Sequence, residues 1–162
     1  MTSQRFLIQD TVDLEVVKFS LDLLEKYKKE DIKTEQPVFT HNGFQTPNVI
    51  QAYNHDMKLK LLKDYFHPQD LFHLHLIEYF EGGSQRLHDH WKTEYNSFIL
   101  HLNDADGDTS FLFTDYSDRQ NRNLDCKPRE GKIYYFHGHT LHQGKPSFTG
   151  KKVLVGALQK KG

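Results

Sequence analysis

The feature that most constrains this chain is a change of hydrophobic period at His67-Pro68. Before it, apolar residues recur at helical spacing. Between Thr11 and Lys29 they fall at Val12, Val16, Phe19, Leu23 and Tyr27, and Leu14, Val17, Leu21 and Leu24 widen the stripe. That pattern predicts an amphipathic helix with Asp10 or Thr11 as its N-cap. Thr46-Pro47 reads as a second helix start, a capping hydroxyl followed by proline at the first helical position, in a helix reaching Tyr65. After His67-Pro68 the runs shorten, alternate and fill with branched and aromatic residues. They predict strands over residues 71–80, 84–90, 95–103, 110–113, 132–136 and 151–158. Gly82-Gly83 and the 104–108 segment, with its Asp-Gly pair, read as turns. Residues 114–130 are polar and read as a long loop, either a lid beside a pocket or plain surface. Helices followed by many short strands predict an α+β fold in a single domain, residues 1–162. The mainly helical part, 1–67, packs on a sandwich or barrel core over 71–158.

Charge narrows the function. Lys plus Arg (21) balance Asp plus Glu (22), for a net charge of −1. A general nucleic-acid binder or a membrane-surface protein is not expected from that balance. No apolar run approaches the length of a membrane span, and none near the start resembles a signal peptide, so a soluble, cytoplasmic protein is expected. Cys126 is the only cysteine, which excludes an intrachain disulfide and a thiolate zinc cluster. Against that one cysteine stand 11 histidines, so imidazole is the first place to look for chemistry.

The strongest local signal is His88-Asp89-His90. Residues i and i+2 of a strand share a face, so His88 and His90 project together. Imidazole is a common ligand for iron, zinc, copper and nickel. The segment from His137 to His142 supplies candidates for a third donor. His73 and His75 also share a strand face, which shows how readily this spacing arises. With His41, His55 and His67 they carry no functional reading.

The downstream stretch contains Pro128-Arg129-Glu130-Gly131, the apolar run ending in Phe136, then His142, Pro146 and Gly150-Lys151. It resembles the end of the double-stranded β-helix in iron(II)- and 2-oxoglutarate-dependent oxygenases. Upstream, Tyr79, Gly82-Gly83, Gln85, His88-Asp89-His90, Leu102-Asn103 and Gly107-Asp108-Thr109-Ser110-Phe111 follow the order seen in prolyl-hydroxylase-like members. Asn42-Gly43-Phe44-Gln45-Thr46 is similar to the Asn-Gly-Gly-Trp-Gln-Ser motif of one subgroup. The resemblance covers roughly residues 40–158 and rests on the order of the motifs.

It implies a double-stranded β-helix (jelly-roll) core buttressed by N-terminal helices, with Fe(II) as cofactor and 2-oxoglutarate as co-substrate. It further implies O2 and an unidentified prime substrate, a peptide or protein side chain or a small molecule, with release of succinate and CO2. His88 matches the first metal ligand and His142 the distal one. Lys151 matches the basic partner of the far carboxylate, with Lys152 as its competitor. Tyr79 and His101 sit where co-substrate partners are often placed. The family pattern is His-x-Asp…His, whereas here the second position is His90. Three readings stand: His90 completes a three-histidine site, Asp89 ligates through a bulge, or no third protein ligand is present. The His-x-His subgroup favours His90. Gly82, His88, His90 and Glu94 are also similar to the first cupin motif, although His137, His139 and Pro146 replace expected residues of the second. A cupin-type dioxygenase or isomerase is the alternative enzyme, and a β-helix module with a vestigial site is the non-catalytic alternative.

Overall fold

The computed structural model describes residues 7–35, 40–89, 96–115 and 120–159. Its strands are β1 (Leu7–Thr11), β2 (Thr40–Gln45), β3 (Leu71–His88), β4 (Asn96–His101), β5 (Thr109–Asp115), β6 (Gln120–Cys126), β7 (Lys132–His137), β8 (Leu141–Ser147) and β9 (Lys152–Leu158). Its helices are α1 (Leu14–Lys29) and α2 (His55–Leu62).

Helix α1 follows the predicted stripe and buries Val16, Val17, Ser20 and Leu24. It starts later than expected, with Asp13 at the N-cap, because residues 7–11 pair with β7 as a strand. Lys26, Lys28 and Lys29 occupy its last turn, where cations suit the negative end of the helix dipole. The second helix is shorter than predicted. Thr46 spends its groups on β3: its N–H donates to the Leu76 carbonyl, and its hydroxyl accepts from the Leu76 N–H, both at 2.9 Å. The chain then makes a 3-10 turn at Ile50–Ala52. Helix α2 begins only where Asn54 caps it, accepting from the Met57 N–H at 2.9 Å. Asn is among the best capping residues, so a position that looked like a mid-helix weakness is the true start.

The sheet runs in the order β1-β7-β4-β9-β3-β8-β5-β6, with β2 added against β3, and every pairing is antiparallel. Strand β3 belongs to both halves. Residues 71–78 pair with β9, and residues 83–88 pair with β8. Between them lies Gly82 at φ +76°, a left-handed conformation that glycine adopts without strain. The bend folds one half of the sheet over the other. Thus Phe111 on β5 meets Phe136 on β7, ring centroids 5.0 Å apart, although the two strands are not neighbours in the sheet.

Alternation then sorts side chains onto two faces. Leu74, Leu76, Phe98, Leu100, Ile133, Tyr135, Leu154 and Leu158 join Val16, Val17, Leu24, Leu61 and Leu62 in the core beneath the helices. Ile77, Tyr79, Ile99, Phe111, Tyr134, Phe136, Val153 and Val155 form a second cluster between the two halves of the sheet. This is the expected α+β architecture, a double-stranded β-helix with helices on one face. No helix among the described residues is long and apolar enough to cross a membrane.

Candidate functional site

The inner face carries two groups of polar side chains. His88 near the end of β3 and His142 on β8 are cross-strand partners, buried, with ring centroids 4.3 Å apart. Each ring is oriented in the same way. Nδ1–H of His88 donates to the Arg86 carbonyl at 2.6 Å, and Nδ1–H of His142 donates to the Thr140 carbonyl at 2.9 Å. A carbonyl can only accept, so both protons sit on Nδ1, and Nε2 is the unprotonated nitrogen of each ring, the one able to ligate a metal. Such a hydrogen bond on the far nitrogen is the usual support of a metal-bound histidine. Burial lowers the pKa of His88, although its bond to the Arg86 carbonyl opposes this. Phe136 and Phe111 pack on His142, at 4.6 and 6.1 Å between centroids, and fix the ring from below. This donor set fits a borderline transition metal.

The third donor is a separate matter. His90 and Glu94 lie outside the described residues, as do Trp91 and Tyr95. Asp89 is half-buried, and among the described residues no group of three His, Cys, Asp or Glu side chains gathers around one point. His137 and His139 turn toward each other, with the His139 N–H donating to His137 Nδ1 at 3.1 Å. They shape the turn before β8.

Lys151 and Lys152 separate as alternation requires. Lys152 points toward the helix side, 3.9 Å from both Glu25 and Glu78. Lys151 is buried, at 1% exposure. Its ammonium donates to the Gly107 carbonyl at 2.8 Å and to Thr109 Oγ1 at 2.9 Å, and lies 5.1 Å from the centroid of the Tyr79 ring. Each of those neighbours is uncharged. Burial pulls its pKa down to about 7, against the upward pull of Asp108, Asp106 and Cys126. A buried ammonium with no carboxylate among its described hydrogen-bond partners is an electrostatic deficit that an anion would relieve.

His101 reaches the same place from β4. It is fully buried, and its Nε2 lies 2.9 Å from Thr109 Oγ1. Thr109 thus joins the ammonium and the imidazole through one hydroxyl. His101 Nδ1 has no hydrogen-bond partner among the described residues. Burial, reinforced by the charge of Lys151, holds the imidazole down at about 3, so it is neutral at ordinary pH.

The sequence pointed to His88, His142, Lys151, Tyr79 and His101, and all five lie on this inner surface. Two participants were not singled out. Thr109 links Lys151 to His101, and it stands two residues before Phe111 on the same strand face. Gly144 follows His142 at the same interval. A Cβ at Gly144 would lie 3.1 Å from the Tyr79 hydroxyl and 3.5 Å from Lys151 Nζ, so glycine keeps that corner open. Asp106, in a segment read only as a turn, anchors the approach to Lys151. Its carboxylate accepts from the Ser147 and Thr149 hydroxyls and the Phe148 and Thr149 N–H groups, bonds that hold its pKa down at about 2. The residues read as a polar loop, 114–130, instead contribute the β5–β6 hairpin, with 116–119, including Asp118 and Arg119, outside the described residues. Cys126 ends that hairpin, and burial pushes its thiol up to about 11, an unreactive state.

No family model matches the sequence, and no curated protein matches it either. Solved structures do match the fold. A prolyl-4-hydroxylase from Pseudomonas putida superposes with a TM-score of 0.67 at 15% identity, over 96% of this chain and 92% of that one. A prolyl hydroxylase from Trichoplax adhaerens, solved with a peptide fragment of the hypoxia-inducible factor oxygen degradation domain, gives 0.64 at 11% identity, over 96% and 83%. A non-heme alpha-ketoglutarate-dependent epimerase of nogalamycin biosynthesis gives 0.68 at 10% identity, over 93% and 76%. At such identities the likeness is one of fold: the chain has the fold of the 2-oxoglutarate- and iron(II)-dependent oxygenases.

Proposed function

We propose that this chain is an Fe(II)- and 2-oxoglutarate-dependent oxygenase that hydroxylates a peptide side chain or a small molecule. One observation carries the reading. A single inner surface holds two imidazoles whose Nδ1–H groups are tied to backbone carbonyls at one place and a buried ammonium hydrogen-bonded to uncharged acceptors at another. A chelated metal and the far carboxylate of a short dianion complement those two features, in a fold whose solved neighbours include enzymes of this class.

In this reading His88 and His142 are two metal ligands and His90 is the third. Bound there, Fe(II) with 2-oxoglutarate and O2 supplies the oxidation, with loss of CO2 and formation of succinate. The protein's part is placement. Lys151 neutralises the distal carboxylate in a desolvated corner, where charge-assisted hydrogen bonds are strongest. Tyr79 walls that corner and Gly144 leaves it room. Thr109 and His101 act through Lys151: the hydroxyl holds the ammonium in place, and the neutral imidazole holds the hydroxyl. The apolar side chains Ile77, Val153, Phe111 and Phe136 exclude water from the interior.

The test is binding and turnover. Purified protein with Fe(II) should bind 2-oxoglutarate and convert it to succinate. His88→Ala and His142→Ala should each lose the metal, whereas Glu94→Ala keeps it. Lys151→Ala should keep the metal but weaken 2-oxoglutarate by roughly 30-fold or more, since removing one partner of a buried charge pair costs about 2–5 kcal/mol. Metal lost in Glu94→Ala with 2-oxoglutarate affinity unchanged in Lys151→Ala would turn the assignment toward the cupin type. Metal content indifferent to all of these changes would leave a binding module.

A further inference from the structure

His73 and His75 occupy the first half of β3. Their neighbours in sequence, Leu74 and Leu76, go to the helix-side core. Alternation therefore sends both histidines to the inner face, beside Ala157 and Val155 of β9, their cross-strand partners. His88 lies on the other half of the bent strand, paired with β8, so the two histidine pairs occupy different walls.

The two rings do more than share a face. They meet edge-on at 5.1 Å between centroids, and His75 Nδ1 and His73 Nδ1 share a hydrogen bond at 3.2 Å, whose proton an ion would displace. Metal–imidazole bonds of about 2.0–2.1 Å place two nitrogens about 3.0 Å apart at a right angle and about 3.4 Å apart at the tetrahedral angle. The observed separation falls between these two values. The backbone of one strand thus holds two imidazole nitrogens at the bite of a single ion. Burial lowers the pKa of His73, which favours the neutral, ligating form. Both rings are only partly buried, so an ion can reach them.

We propose that His73 and His75 form a second metal site, a two-imidazole chelate for a borderline divalent ion such as Zn2+, Ni2+ or Cu2+. All-nitrogen ligation favours these ions over Mg2+ or Ca2+, and affinity rises toward Cu2+. Two imidazoles are fewer protein donors than the four of a closed structural zinc site.

The experiment is a Zn2+ titration of the intact chain by calorimetry, with bound metal counted by mass spectrometry. Wild-type protein should bind two equivalents. His73→Gln and His75→Gln should each reduce this to one, whereas His55→Gln, a histidine outside the inner face, leaves two. His142→Ala should retain the equivalent that His75→Gln loses. If His75→Gln binds as much Zn2+ as wild type, the proposal fails, whatever becomes of the site at His88. If wild type binds a single equivalent that His75→Gln abolishes, this site stands and the one at His88 falls. A measurement on wild type alone covers variants that do not fold. Zn2+ should protect His73 and His75 from acylation by diethyl pyrocarbonate, and acylation undiminished by Zn2+ would overturn the proposal.

Discussion

Thr109 shows how a residue with no chemistry of its own decides the state of two that have it. Its single hydroxyl accepts from Lys151 and satisfies His101, so both polar groups are held by one rotor. Thr109→Val keeps the shape and removes that link. Of its described hydrogen bonds the ammonium then keeps the one to the Gly107 carbonyl, and 2-oxoglutarate should bind roughly 5- to 30-fold more weakly, the equivalent of about 1–2 kcal/mol for one charge-assisted hydrogen bond. A positioning role is distinguished from a general loss of structure by two readouts. KM for 2-oxoglutarate should rise while kcat changes little, and Thr109→Ser should restore the wild-type KM. A fall in kcat alone, or no rescue by serine, would remove Thr109 from this role. The sequence made the ends of this chain legible but not its middle. Lys151 and His101 stand out because charge and imidazole are rare in apolar runs. A threonine in a strand is ordinary, and only the fold reveals what its hydroxyl touches.

Among the elements, the apolar strands were readable and the polar ones were not. Strands β4, β7 and β9 are apolar because both faces are covered, one by the helices and one by the folded-over half of the sheet. Strand β2, with sequence THNGFQ, and strand β6, with QNRNLDC, each pair along one edge and show polar side chains to water. Strand β8 contains Gly144 and Pro146, which signal a turn, yet it runs as a strand because both β3 and β5 flank it. The tightest fit between elements lies at Gly156 on β9, opposite Phe98 on β4. A Cβ at Gly156 would overlap the Phe98 ring. Gly156→Ala should therefore destabilise the fold by about 1–3 kcal/mol, the usual cost of overpacking a filled core. The double variant with Phe98→Leu should lose less than the sum of the two single changes, because the smaller side chain vacates the contested space. Additive losses in urea unfolding would show that the overlap is relieved elsewhere.

For the whole molecule, the proposed activity sets function against stability. Lys151 carries a charge into a corner whose described hydrogen-bond acceptors are uncharged, and burial takes its pKa to about 7 from 10.5. The sign follows from proton counts. Between pH 7 and 10.5 the unfolded chain holds this proton and the native chain does not, so this group makes stability rise with pH across that window. Below pH 7 both states hold it, and the full cost of burying the ammonium remains. His101 adds a second window, since its stabilising contribution is intact above 6.5 and is lost as pH falls toward 3. Cys126 acts in the opposite direction above pH 9, where the unfolded thiol ionises and the buried one does not. The interval from pH 7 to 8.5 therefore isolates Lys151 from both. Lys151→Met, close in length and uncharged, should flatten the rise in urea-unfolding free energy between those two values. At pH 7 it should be at least as stable as wild type, because replacing a buried charge by a packed apolar group is commonly neutral or stabilising. The same variant should lose the stabilisation that 2-oxoglutarate gives wild type in the presence of Fe(II), since a ligand stabilises only the state that binds it. A variant less stable than wild type at pH 7, yet still protected by 2-oxoglutarate, would mean that the ammonium serves the fold and not the co-substrate.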